Sequence, residues 1–178
     1  MELQKAIESR RSIRKYKSDD IDDKTIIKLI DNARIAPSAK NTQPWRFYIA
    51  RGEEKNNIAT IMKDYHNKFP EGTIGMKTTA DVIEEAPVLI LVFRTSDSTT
   101  TERQDALSIG AAIEHILLSA QDMGLGSLWI AATYRVRDEI AKSVNIDMDL
   151  YSAVAIGIAN ENPDMRPRKT LNEIIINK

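Results

Sequence analysis

The chain has 178 residues, 42% apolar and 29% charged, with 25 Lys and Arg against 26 Asp and Glu for a net charge of -1. This is the profile of a globular protein able to bury roughly two thirds of its unfolded surface, and the even charge balance argues against a wholesale polyanion binder. The absence of cysteine excludes disulfides, thiolate nucleophiles, zinc–cysteine sites and iron–sulfur clusters, and two histidines, His66 and His115, leave little for a transition-metal site. No apolar run approaches the roughly 18–20 residues of a membrane span. The N-terminus, MELQKAIESRR, lacks the apolar stretch of a signal peptide. A cytoplasmic protein without nucleic-acid or membrane partners is expected.

Residues 2–9 carry Leu3, Ala6 and Ile7 at helical spacing, and the basic segment Arg10-Arg-Ser-Ile-Arg-Lys-Tyr-Lys17 follows. Ser18-Asp-Asp-Ile-Asp-Asp23 then supplies a cap and first-turn acids for a helix over 24–35. Ile26, Ile27, Leu29, Ile30 and Ala33 form its expected buried face. The loop Ala36-Pro-Ser-Ala-Lys-Asn-Thr-Gln-Pro-Trp45 is too rich in prolines and small polar residues for a regular element. Strands are predicted over 46–50 and 88–93, with helices over 53–69 and 76–85 between them. The second helix must stop before Pro87, because a residue preceding proline avoids helical geometry.

The helix over 103–123 has the clearest period, with Ala106, Ile109, Ile113, Ile116, Leu117, Ala120 and Met123 on one stripe and Gly124 placed to end it. A short strand over 127–131, a helix over 136–144 and a buried strand over 151–159 complete the pattern. The terminal Ile174-Ile-Ile176 asks for a partner surface, such as another subunit.

Four groups of residues can carry chemistry. The segment over 10–17 holds five cations, Arg10, Arg11, Arg14, Lys15 and Lys17, around the hydroxyl of Ser12. Arginine's planar fork pairs bidentately with phosphate oxygens, and local basicity in a neutral protein suits one small anion. Arg166 and Arg168, two apart on a chain that Pro167 keeps extended, point the same way and add a second pair. Ser38, Asn41, Thr42 and Gln43 can hydrogen-bond a polar planar ligand, with Pro44 and Trp45 packing beside it or serving the core. Gly124-Leu-Gly126 is not a dinucleotide fingerprint, because it follows a helix and has Trp129 at its third glycine position. No P-loop and no nucleophile elbow occur. His115 is expected to be packed and hydrogen-bonded, and His66 to lie on a helix surface. The aspartates at 19, 20, 22 and 23 are read as helix caps, since calcium-loop spacing fails. Anion-binding parts without acid–base machinery suit a protein whose chemistry belongs to a bound phosphorylated cofactor.

Arg10-Arg-Ser-Ile-Arg14 after a short helix, Ala36–Trp45 at its distance downstream, Gly124–Trp129 after a long helix, and Arg166-Pro-Arg-Lys169 near the end together resemble, in order, the motifs of the nitroreductase family. The resemblance implies an α+β fold, a mostly antiparallel central sheet flanked by helices, in an intertwined homodimer. Residues 1–178 would form one FMN-binding domain whose segment from about 163 to 178 extends onto the partner. Arg10, Arg11, Ser12, Arg14, Arg166 and Arg168 would hold the FMN phosphate and ribityl chain. Pro37, Ser38, Ala39, Asn41 and Gln43 would line the flavin from the other subunit, and Trp129, Ile130 and Ala131 would approach its ring.

The resemblance further implies that NAD(P)H reduces the flavin at N5 and that an electron-poor acceptor, such as a nitroaromatic or quinone, is reduced in turn. No catalytic side chain and no metal would be needed. The short spans 46–86 and 130–150 leave the acceptor pocket open or covered by 63–76. A flavin-sequestering protein, or a dehalogenase or flavin reductase with little nitroreductase turnover, is the alternative reading. A nucleic-acid module using the same arginines is disfavoured by the charge balance and the few aromatics.

Overall fold

The computed structural model describes residues 2–176; the first residue and the last two of the expected C-terminal extension lie outside the described residues. Four strands, β1 (Trp45–Ala50), β2 (Val88–Arg94), β3 (Gly126–Ile130) and β4 (Asp149–Gly157), form one sheet in the order β1-β2-β4-β3 with every neighbour antiparallel. β2 and β4 are central and almost wholly buried, which explains why Val88–Phe93 and the stretch from Ala153 to Gly157 read as continuous apolar or small-residue runs rather than alternating ones. The expected α+β architecture is the one found.

Alternation along the central strands sends their side chains to two cores. Leu89, Leu91, Phe93, Ala153 and Ala155 meet α3 (Gly52–Lys68), α4 (Ile74–Glu85) and α6 (Arg137–Ser143). Val88, Ile90, Val92, Val154 and Ile156 meet α2 (Asp23–Arg34) and α5 (Glu102–Asp122) on the opposite face. The result is a helix–sheet–helix sandwich with α1 (Leu3–Ser9) and the one-turn α7 (Leu171–Ile174) outside it.

Several expectations need correction. On α2, Ile26, Leu29 and Ala33 are buried, but Ile27 is exposed and Ile30 only half-buried, so the apolar stripe is narrower than the composition suggested. On α5 Ala106 is exposed while Asp105 and Ser108 are buried, and Met123 lies exposed just past its end. The last strand spans 149–157 rather than 151–159, and β3 starts and ends one residue earlier than expected. His66 is half-buried, its Nδ1 2.8 Å from the Thr73 hydroxyl, rather than on the surface. Trp45 is buried in the core and cannot pack beside a ligand. His115 behaves as expected, with Nδ1 3.0 Å from the Asn32 carbonyl, and Asp22 caps α2 by accepting from the Thr25 N–H.

Candidate functional site

The basic segment leaves α1 as extended backbone. Ser12 forms a parallel bridge with Ser127 at the start of β3, and the Ile13 N–H donates to the Ser127 carbonyl at 3.0 Å. Two residues later the chain pairs with the stretch that follows β4: the Lys17 N–H donates to Ile158 O and the Asn160 N–H to Lys15 O, each at 2.9 Å. Ile13 and Tyr16 are buried, so the segment is clamped by its apolar side chains while its arginines project outward. The Tyr16 hydroxyl donates to Ile13 O at 2.8 Å. Burial, and then the nearby Glu161 carboxylate, push its phenol well up, so it stays a neutral donor. Gly126 is required at the crossing, because a Cβ there would lie 2.9 Å from Ile13 Cγ2.

The same pairing carries the chain after β4 back to the basic segment. Arg10, Arg11, Ser12 and Arg14 line one wall of a cavity of about 220 Å³, and Pro163, Asp164, Met165, Arg166 and Arg168 line the other. The two arginine groups, more than 150 residues apart in sequence, therefore share one site. Its volume falls below the roughly 300–1,000 Å³ of a drug-sized ligand site, so it suits the charged end of a ligand. The guanidiniums lean on backbone carbonyls: Arg11 Nη1 donates to Glu8 O at 2.8 Å, Arg14 Nη1 to Ser12 O at 3.1 Å and Arg168 Nη1 to Arg166 O at 3.1 Å. Among the described residues none of the five arginines has a carboxylate within ion-pair distance. Five cations around one hollow, against the single acid Asp164 in its lining and with a serine hydroxyl between them, fit a phosphate dianion.

The loop over 37–43 lies elsewhere. It contains a single 3-10 turn over Ala39–Asn41, and Lys40, Asn41 and Gln43 all have positive φ, an uncommon state for residues other than glycine. Internal and tertiary bonds hold this strained shape. The Gln43 N–H donates to Ser38 Oγ at 3.0 Å, the Ala39 N–H to Ser108 Oγ at 3.2 Å, and Thr42 Oγ1 to Ala39 O at 3.0 Å. Pro37, Ser38 and Ala39 form one side of a second hollow, with Gln104, Leu107, Ser108 and Ala111 of α5 on the other. Asn41 and Gln43 are exposed.

At the end of β3, Trp129 is 43% exposed and faces α5 at Gly110, its Nε1 donating to Ser152 Oγ at 2.7 Å. Ile130 is buried among the α3–α4 core, and its carbonyl accepts from the hydroxyls of Ser152 and Thr133 at 2.9 and 3.3 Å. Ala131 is exposed just past the strand. The structure thus joins the six phosphate candidates in one cavity, and leaves the loop candidates and the β3 candidates outside it.

A family model of the nitroreductases matches residues 7–158. The chain belongs to the nitroreductase family. Its relatives include an Archaeoglobus fulgidus protein provisionally named an NADH dehydrogenase/NAD(P)H nitroreductase, 30% identical over 92% of this chain and 88% of the relative. An iodotyrosine deiodinase from Thermotoga neapolitana is 29% identical over 94% of this chain and 92% of its own length. Among solved structures, a protein from Desulfovibrio desulfuricans assigned as a nitroreductase and crystallised with FMN matches with a TM-score of 0.85 at 24% identity, covering 100% of this chain and 97% of that one. That likeness establishes the nitroreductase fold, and membership of the nitroreductase family makes the protein an oxidoreductase.

Proposed function

We propose that the protein is an FMN-dependent oxidoreductase that uses NAD(P)H to reduce a small electron-poor acceptor, such as a nitroaromatic or quinone. The observation that carries this reading is the convergence on one cavity of Arg10, Arg11, Arg14, Arg166 and Arg168, whose guanidiniums have no carboxylate within ion-pair distance among the described residues. FMN, when bound, supplies the redox chemistry, accepting a hydride at N5 and passing it on. The arginines and Ser12 bind its phosphate, and their charge favours an anionic reduced cofactor. Ala131 follows the end of β3, the strand whose Ser127 is bridged to Ser12 of the basic segment. The exposed backbone there is the candidate support for the flavin ring.

A second copy of the chain completes this reading. The cradle touches α5 near Gln121, whose Nε2 donates to Ser9 Oγ, while the loop over 37–43 touches α5 at Ser108. At a rise of about 1.5 Å per residue these points are roughly 20 Å apart, so the loop that lines a given flavin comes from the partner. Leu107, 71% exposed, and Trp129 give α5 and β3 an apolar face, and Leu171, Ile174, Ile175 and Ile176 lie exposed along the C-terminal segment. Both surfaces fit burial against that second copy, with each chain folding as one domain. The experiment is steady-state oxidation of NADH and NADPH by FMN-loaded protein with menadione as acceptor. Flavin-dependent turnover supports the enzyme; none with any acceptor, despite bound FMN, makes it a flavin-sequestering protein. The deiodinase relative favours one second reading, reductive dehalogenation at the same site, which halide release from an iodophenol substrate would reveal.

A further inference from the structure

We propose that Glu161 is a positioning residue that holds the two walls of the arginine cavity together, an inference that rests on the reading of this cavity as an FMN phosphate site. One carboxylate oxygen, Oε1, accepts from the backbone N–H of Arg14 and, at 3.2 Å, from that of Lys15. The bonds span 147 and 146 residues. They come where backbone pairing between the two segments stops: the bonds at Ile158 and Asn160 and the Tyr16–Ala159 bridge precede Glu161, and the cavity wall begins at Pro163. Glu161 is therefore the final fastening between the basic segment and the stretch that delivers Arg166 and Arg168.

The charge of Glu161 opposes its location. A carboxylate beside a dianion site repels the ligand, so attraction cannot explain it. Its contribution is as an acceptor, since charge-assisted bonds to backbone N–H groups are among the stronger hydrogen bonds. Two such bonds to consecutive residues fix the backbone at Arg14 and so the direction in which its guanidinium projects.

The test compares Glu161→Ala and Glu161→Gln with the unaltered protein, titrating each with FMN and with riboflavin by flavin fluorescence. Riboflavin lacks the phosphate. Glu161→Ala is expected to weaken FMN binding roughly tenfold while leaving riboflavin binding near its original value, because only the phosphate cradle loosens. Glu161→Gln, whose side-chain carbonyl still accepts, is expected to bind FMN within about threefold of the original or more tightly, having shed an opposing charge. Unchanged or tighter FMN binding by Glu161→Ala overturns the proposal. So does equal loss for FMN and riboflavin, which marks general damage, or a Gln variant as weak as the Ala variant. An unaltered protein that binds FMN no better than riboflavin overturns the phosphate-site reading itself, and this inference with it.

Discussion

Arg94 Nε donates to Asp105 Oδ2 at 2.7 Å, joining the end of β2 to the first turns of α5 through a carboxylate that is fully buried. Asp105 also accepts from the hydroxyl of Ser98 at 2.9 Å and from that of Thr100, and Thr100 Oγ1 lies 3.4 Å from the Thr42 hydroxyl. One acid thereby ties β2, the loop before α5, and the loop over 37–43 that the flavin reading assigns to the partner's site.

Asp105→Asn should accordingly lower stability by about 3 kcal/mol at pH 7, because it breaks a pair with one fully buried member and disorders the hydroxyls that point at it. Burial pushes the Asp105 carboxyl up, but the bonds from Thr100, Arg94 and Ser98 outweigh it and hold it below the ordinary carboxylate range. A depressed folded-state pKa contributes stability in full above the unfolded value, near about 4, and loses it as pH falls through the folded one. Urea unfolding at pH 7 and pH 3 should therefore give a large stability gap between the two proteins at pH 7 and a smaller one at pH 3. A gap that is the same at both would contradict the assignment.

Gly157 closes β4 where Pro87 and Tyr16 press on it. A Cβ there would meet Pro87 Cδ at 2.6 Å and Tyr16 Cδ1 at 2.7 Å, and neither the proline ring nor a phenol buried behind the basic segment can swing away. Gly157→Ala should cost about 2–3 kcal/mol by overpacking. It should also weaken FMN binding, since Tyr16 lies in the segment that carries the arginines. A stability within about 0.5 kcal/mol of the original, the range of an innocuous surface change, would show that the contact yields.

Arg10→Ala combined with Arg168→Ala removes one cation from each wall of the cavity. Each charge-assisted bond to phosphate is worth about 1.5–3 kcal/mol, so FMN affinity should fall at least a hundredfold. Both side chains are clear of the two cores, so the unfolding midpoint should hardly move. Equal FMN affinity in isothermal titration would remove the phosphate from this cavity.

Leu107→Glu places a charge on the exposed face of α5 beside Ala111 and Pro37. If that face is buried against a second copy, sedimentation should show the variant as a monomer that retains little FMN. A variant that sediments like the unaltered protein would assign the face to solvent.

The central elements were legible because their signals are local and redundant. The apolar run of β2, the small and apolar residues from Ala153 to Gly157 in β4, the three- and four-residue spacing in α5, and Gly124 at φ +75° each point to one structure. Asp105 was not legible: a charge in the first turn of a helix reads as solvated, and only Arg94 arriving from β2 makes its burial tolerable. Ile27 failed in the opposite way, because composition does not reveal how wide a stripe the neighbouring helix covers. At the site, the arginines were legible from residue chemistry and their meeting only from the family resemblance, because the pairing of 12–17 with 127 and 158–160 that brings them together has no motif of its own. Glu161 left no signal in sequence, since one acid in a polar tail is indistinguishable from its neighbours until the fold brings Arg14 to it.

The most direct test of the whole account is to incubate the purified protein with FMN, remove free ligand by gel filtration, and record the absorbance of the eluted protein. Flavin bands amounting to one FMN per chain are expected, lost in the Arg10→Ala, Arg168→Ala double variant. A protein that elutes colourless would contradict it, and the five arginines would then require a different anion.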